Sequence, residues 1–236
     1  MTDLNALDKT YRTITATLPP VAGVAQGAMV LQDVATREMT LDQLLHVLRP
    51  KVEGSLNLDR LFYDEPLDFF VFFSSTASLV GNPGQANYCA ANMFMHGLAG
   101  QRRRRGLAAS VMDLGAVLGT GYITREIGDE QIKAVSDRGF MILSESDVHQ
   151  TFAEAVRASR TDSGCEAHIS TGLRRLTENT PNRPGWYNIP KFSCLTIQES
   201  GEDTGGYQQK ATASIKERLA AAKTTQDVQE VITGEG

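Results

Sequence analysis

Apolar residues follow two different periods along this chain. From Phe69 to Ser74 (FFVFFS) they are continuous, with no polar alternation, which predicts a strand covered on both faces of a sheet. Val21–Ala28 (VAGVAQGA) and Leu107–Leu114 read as two more buried strands, and Ala167–Ser170 as a short one. Between them the pattern is helical. Leu4–Leu18 reads as a helix ended by Pro19 and Pro20. Thr40 opens another, with Gln43 completing a capping box and Leu41, Leu44, Leu45 and Leu48 on one face. Pro50 is expected to interrupt it, the segment resuming as Lys51–Phe62. A loop over Ser75–Gln85, with Gly81, Pro83 and Gly84, leads into a helix over Ala86–Arg104, and Asp147–Ala158 forms a further one. Strands and helices alternating through short links predict an α/β fold with a parallel sheet. From Thr177 to Gln209 the chain turns polar, with three prolines, and reads as a linker before a last helix over Ala211–Ala222.

The 236 residues suffice for one α/β domain or two small ones. A net charge of −5 disfavours nucleic acid or an anionic membrane as partner. The one basic run, Arg102–Arg105, reads as a solvated helix end. Cys89, Cys165 and Cys194 lie far apart, and His46, His96, His149 and His168 show no ligand spacing, which argues against a zinc site or a disulfide framework. The polar start and the lack of any apolar stretch near ~20 residues fit a cytoplasmic protein that does not span a membrane.

Four residues form a candidate catalytic set: Lys51, Ser75, Tyr88 and Asn92. Ser75 follows the strongest strand, and ligands of open parallel sheets gather outside the carboxyl ends of strands. Tyr88 and Asn92, four apart, share a helix face, and Lys51 lies on the preceding helix. Carbonyl reduction suits such a set. The forming alkoxide needs a proton, which a tyrosine delivers if a nearby ammonium lowers its pKa from ~10. A serine hydroxyl holds the carbonyl oxygen, and an asparagine positions a water or the lysine in a proton relay. Each residue alone has a plain structural alternative, Ser75 as a turn or cap residue and Tyr88–Asn92 as ordinary helix positions.

The stretch FFVFFSSTASLVGNPGQANYCAANMF (Phe69–Phe94) resembles ketoreductase domains of modular and fungal highly reducing polyketide synthases, including synthase–peptide synthetase hybrids. LRPKVEGSLNLDRLF (Leu48–Phe62) resembles the segment that carries that family's lysine, and GVAQGAMVLQD (Gly23–Asp33) the strand and loop before it. The resemblance covers about Leu4 to Ser170. It implies catalytic roles for Lys51, Ser75, Tyr88 and Asn92, with the lysine on the earlier helix and Asn92 where ordinary short-chain dehydrogenases carry lysine. It also implies NADPH as cofactor, with Gly27, Ala28, Gly115, Ala116 and Val117 at its nicotinamide end, and a mobile lid over Tyr122–Leu143. Leu31-Gln32-Asp33 resembles a Leu-x-Asp motif associated with one stereochemical outcome, which gives Asp33 a role in stereocontrol; a helix-capping Asp is the alternative.

No GxGxxG turn for a dinucleotide pyrophosphate occurs in the chain. The expectation is a truncated Rossmann-like sheet of the short-chain dehydrogenase type, lacking its first three strands, with Val21–Ala28 as an open edge. Residues 1–175 would be the C-terminal part of a ketoreductase domain, 176–210 a linker, and 211–236 a partial helical run-in to a carrier protein. The leading functional reading is a segment of an NADPH-dependent β-ketoacyl reductase acting on carrier-bound β-keto thioesters. The alternative is a non-catalytic remnant, or a split-gene partner or scaffold, that self-associates or pairs with a separate N-terminal half. A free-standing dehydrogenase is disfavoured by Asn92.

Overall fold

The computed structural model describes residues 1–117, 129–180 and 183–197. Helix α1 (Leu4–Thr17) is capped by the Asp3 side chain, which accepts from the Ala6 N–H, and stops before Pro19. It rests on the core through Leu7 and Tyr11, the latter edge-on to Phe62. Strand β1 (Gly23–Gln26) is shorter than the expected Val21–Ala28. Its pairing ends at Gln26, whose buried side chain turns back to accept the Ala28 N–H and releases the chain from the sheet.

Helix α2 (Leu41–Leu61) begins at the expected Thr40–Gln43 capping box, but Pro50 does not interrupt it. Proline forfeits one backbone hydrogen bond there. The buried stripe of Val47, Lys51, Gly54, Ser55 and Leu58, spaced three and four apart, holds the helix to the sheet through that point. Of the leucine face read from the sequence, Leu44, Leu45 and Leu48 are half-buried and only Leu41 is exposed.

Strand β2 (Phe69–Ser75) is the centre of the molecule. On one side Phe70 and Phe72 pack with Leu58 of α2 and with Met95 and Leu98 of helix α4 (Ala86–Arg104). On the other, Val71 and Phe73 meet Phe152 and Ala155 of a later helix. Both faces are therefore dry, as continuous apolar patterning requires. A short helix, α3 (Ala77–Val80), links β2 to α4.

Strand β3 (Ser110–Leu114) is also shorter than expected, because Leu107 and Ala109 donate to the Arg102 and Ser159 carbonyls instead of a strand neighbour. Beyond it come β4 (Ala116–Val117), α5 (Asp129–Asp137), β5 (Ile142–Leu143), α6 (Glu145–Ser159) and β6 (His168–Ser170). The main sheet has the order β1-β2-β3-β6, all parallel. Helices α2 and α4 cover one face and α6 the other, so the fold is α/β as expected.

Two polar stretches are packed rather than solvated. Arg102 is fully buried, stacked 4.2 Å over Phe70 and bonded to Asp59, which Arg105 also reaches. Arg103 donates to the Ala158, Ser159 and Arg160 carbonyls at the end of α6. The reading of this run as a solvated helix end is therefore corrected for three of its four members. The stretch expected as a linker begins as ordered chain. Strands β7 (Leu176–Thr177) and β8 (Thr196–Ile197) pair, and Leu176, Trp186 and Phe192 form a small buried cluster. The helix expected over Ala211–Ala222 lies outside the described residues.

Asp59 neutralises two arginines at the base of the sheet. Removing one partner of a buried ion pair costs ~3–5 kcal/mol. Asp59→Ala should lower the unfolding free energy in urea by about that much; a loss under about 1 kcal/mol, the value of an exposed pair, would show that the cluster does not hold α2 to α4.

Candidate active site

The carboxyl ends of β1, β2 and β3 open into a cavity of ≈ 500 Å³. Lys51, Ser75 and Tyr88 line it together, with Gly27, Gly115, Ala116 and Val117. Asn92 does not: it lies behind Tyr88, fully buried. Ala28 and Asp33 are also outside the lining.

Lys51 is 2% exposed, and its ammonium donates to the Phe73 carbonyl at 2.8 Å, next to the end of β2. Among the described residues no carboxylate pairs with it. The ammonium stands 5.6 Å from the centre of the Tyr88 ring. Burial without a counter-charge lowers the Lys51 pKa to about 8.

Tyr88 sits in the first turns of α4, and its hydroxyl donates to the Met29 sulfur at 3.4 Å. Burial raises its pKa, and the Asn92 and Ser75 side chains offset part of that rise. In the resting site the ammonium lies 5.6 Å from the ring centre and is turned to a backbone carbonyl, and burial has the largest effect on the phenol. The result is a neutral phenol, the form that can give a proton.

Asn92 Nδ2 donates to the Tyr88 carbonyl at 2.9 Å, which fixes the amide and leaves Oδ1 buried with no partner among the described residues. Such an orphan acceptor costs ~1–3 kcal/mol unless something else donates to it. Ser75 Oγ accepts from the Ala77 N–H at 3.2 Å, so its proton is left for another acceptor. Below the site, His96 of α4 is 2.8 Å from Asp113 of β3 and 3.3 Å from Ser74 of β2, a buried polar tie that sets α4 against both strands.

Asp33 holds Gln85, whose Nε2 donates to the carboxylate at 3.0 and 3.2 Å. Gln85 in turn accepts from Asn82, and both amides line the cavity. Asp33 is therefore linked to the cavity lining through Gln85 and caps none of the described helices. Sequence reading missed Gln85, Asn82 and Met29, although all three fall inside segments it had singled out.

Small residues shape the far wall. A Cβ on Gly115 would fall 2.8 Å from the Gly172 Cα, so two backbones touch there. A Cβ on Gly27 would meet only the Phe73 ring, at 3.9 Å, and packing does not demand glycine at that position. It leaves backbone open to the cavity. Together with the apolar Leu114 and Val117, this wall fits a flat, uncharged ring such as nicotinamide. No group of three or more His, Cys, Asp or Glu stands close enough to hold a metal among the described residues. Among them, too, no helix is long and apolar enough to cross a membrane.

The fold and site define a parallel-sheet α/β protein with Lys51, Ser75 and Tyr88 together at its strand ends and Asn92 behind them. The KR domain family model matches residues 1–119, and the chain belongs to that family. It is 46% identical over 233 residues to the hybrid PKS-NRPS synthetase poxE of Penicillium oxalicum, covering 98% of this chain and 6% of that protein. It is 45% identical over 233 residues to the highly reducing polyketide synthase sthA of Phaeosphaeria nodorum, covering 98% of this chain and 8% of that one. The chain thus spans a small part of the length of these relatives. Among solved structures it resembles PlmKR1, the ketoreductase from the first module of phoslactomycin biosynthesis in Streptomyces sp. HK803, with TM-score 0.63 and 29% identity over 73% of this chain and 38% of that one. An A1-type ketoreductase superposes with TM-score 0.64 at 26% identity, covering 82% of this chain and 40% of that one.

The buried lysine has a pH signature. Its pKa is lower in the folded than in the unfolded chain, so the unfolded state holds more protons between pH 8 and 10.5, and stability rises with pH across that window. Below about pH 8 the full penalty, on the order of 3 kcal/mol, remains. Lys51→Met should therefore be more stable than the parent at pH 7, with the gap closing toward pH 10.5. A gap that is constant with pH in paired denaturation curves would contradict the buried, unpaired ammonium.

Proposed function

We propose that the chain is the catalytic part of an NADPH-dependent β-ketoacyl reductase that acts on carrier-bound β-keto thioesters in polyketide biosynthesis. The observation that carries this is the buried, carboxylate-free Lys51 beside Tyr88 and Ser75 in one cavity at the strand ends. Membership of the KR domain family and the likeness to fungal synthases support it.

NADPH, when bound, supplies the hydride. Ser75 donates a hydrogen bond, without giving up its proton, to the substrate's carbonyl oxygen and orients the carbon. Tyr88, kept neutral by burial, gives its proton to the same oxygen as charge develops there. The tyrosinate that forms is stabilised by the Lys51 ammonium, whose charge matters more at that moment than in the resting site. The Lys51 ammonium returns a proton to the tyrosinate and regains one from a water, which Asn92 Oδ1 accepts from and so holds in place. Asp33, through Gln85, fixes the side from which the ketone enters.

Strand β1 is at one end of the described sheet, paired only with β2. We infer that this edge takes further parallel strands, and that residues beyond this chain hold the cofactor's pyrophosphate, since no GxGxxG occurs within it. The same lack of a phosphate turn favours a second reading, a non-catalytic scaffold. One experiment separates them. Co-expressed with the strand and glycine-turn half of a ketoreductase, the chain should oxidise NADPH in the presence of a 3-oxoacyl thioester. Tyr88→Phe should cut that rate ~10²–10⁴-fold, the usual value of general acid catalysis. A soluble complex that binds NADPH but does not reduce the thioester supports the scaffold instead.

A further inference from the structure

Two cationic residues line the cavity, one buried (Lys51) and one exposed at its edge. The exposed one is Arg138, and no carboxylate is among the described lining residues. The Arg138 backbone is fixed. Its carbonyl accepts from the Trp186 indole at 3.2 Å, and its N–H donates to Ala134 at 3.3 Å. Gly139 follows at φ +78, where a Cβ would fall 2.7 Å from the Trp186 ring, and its carbonyl accepts from Arg174 at 3.0 Å. The Arg138 side chain, by contrast, is exposed and makes no ion pair or hydrogen bond with a described residue. Asp137, its exposed chain neighbour, forms no ion pair with it either. Arg174, bonded to Ser136 Oγ at 2.9 Å, adds a second positive charge to the same helix end.

A guanidinium on a fixed backbone, with no partner among the described residues, is suited to a phosphate, whose oxygens it meets in a planar fork. Lys51 cannot serve that purpose, being buried and turned to Phe73. The cavity between the two cations carries apolar side chains, Leu114, Val117 and Phe140, and the amides of Asn82 and Gln85. A ligand matched to it has a reactive carbonyl beside the buried cation, an uncharged amide-bearing arm, and a phosphate beside the exposed one. Resting on the reductase reading above, we propose that Arg138 anchors the phosphate of a phosphopantetheine arm that delivers the β-keto thioester to Tyr88.

A cofactor phosphate is the other source of the same chemistry, and the test separates the two. Binding of 3-oxobutyryl-phosphopantetheine, 3-oxobutyryl-pantetheine and NADPH to the chain co-expressed with the strand and glycine-turn half is measured by calorimetry at low salt, with the parent, Arg138→Gln and Arg138→Lys. The phosphate-bearing thioester should bind about threefold to tenfold more tightly than the phosphate-free one. Arg138→Gln should abolish that preference, Arg138→Lys should keep part of it, and NADPH binding should not change. Equal binding of both thioesters to the parent, or no binding of either, overturns the proposal, as does loss of NADPH binding alone in Arg138→Gln. The readout does not depend on turnover, so a complemented chain that discriminates phosphate but reduces nothing would refute the reductase reading and leave the anchor standing.

Discussion

The arrangement turns on one costly interaction, the burial of the Lys51 ammonium against the Phe73 carbonyl. A lysine taken out of water without a carboxylate opposes folding at neutral pH, and the fold must outweigh it elsewhere. It does so with the dry sheet just below, where Phe70, Val71 and Phe72 are fully buried between helices on both faces. Full burial of such side chains is worth ~1.5–3 kcal/mol each, so three of them exceed the lysine's penalty. The ammonium is also why α2 must run unbroken past Pro50: Lys51 is the very next residue, and a kink there would swing it away from β2.

Other groups near the cavity share this character of polarity kept at a cost. Asn92 gives its amide protons to the helix backbone and leaves a buried oxygen unmet, while Tyr88 spends its hydroxyl on a thioether, a weak acceptor that a ketone readily replaces. Such concentrations of imperfectly satisfied groups mark functional sites, where stability is given up for chemistry. Farther off, polar groups are well matched: Asp59 joins two arginines, Arg103 closes the end of α6, and Asp113 binds His96 and Ser170. The contrast separates the site from its scaffold.

Much of this was readable in the chain. Phe69–Ser75 announces a central strand because nothing polar interrupts it, and Thr40–Gln43 marks a helix start by local chemistry alone. Ser75, Tyr88 and Lys51 could be placed together because strand ends and helix faces are local properties. What escaped depends on partners distant in sequence. Arg102 is buried only because Asp59, 43 residues earlier, meets it. Pro50 is tolerated only because the sheet holds its helix. Trp186 and Phe192 lie in a stretch whose prolines suggested a linker, and their burial depends on Leu176 and on the turn at Gly139. Arg138 carries no local signal at all, since its meaning lies in the cavity it borders.

The central claim is that Lys51 is buried for chemistry and not for the fold. Deuteride transfer tests it most directly. The complemented chain would be supplied with NADPH deuterated at the transferred position of the nicotinamide and with a 3-oxoacyl thioester, and the product examined for deuterium at carbon 3. The account predicts labelled 3-hydroxyacyl product from the parent and almost none from Lys51→Met, even though that variant is the more stable protein at pH 7. Label transfer by Lys51→Met at the parent's rate would contradict it.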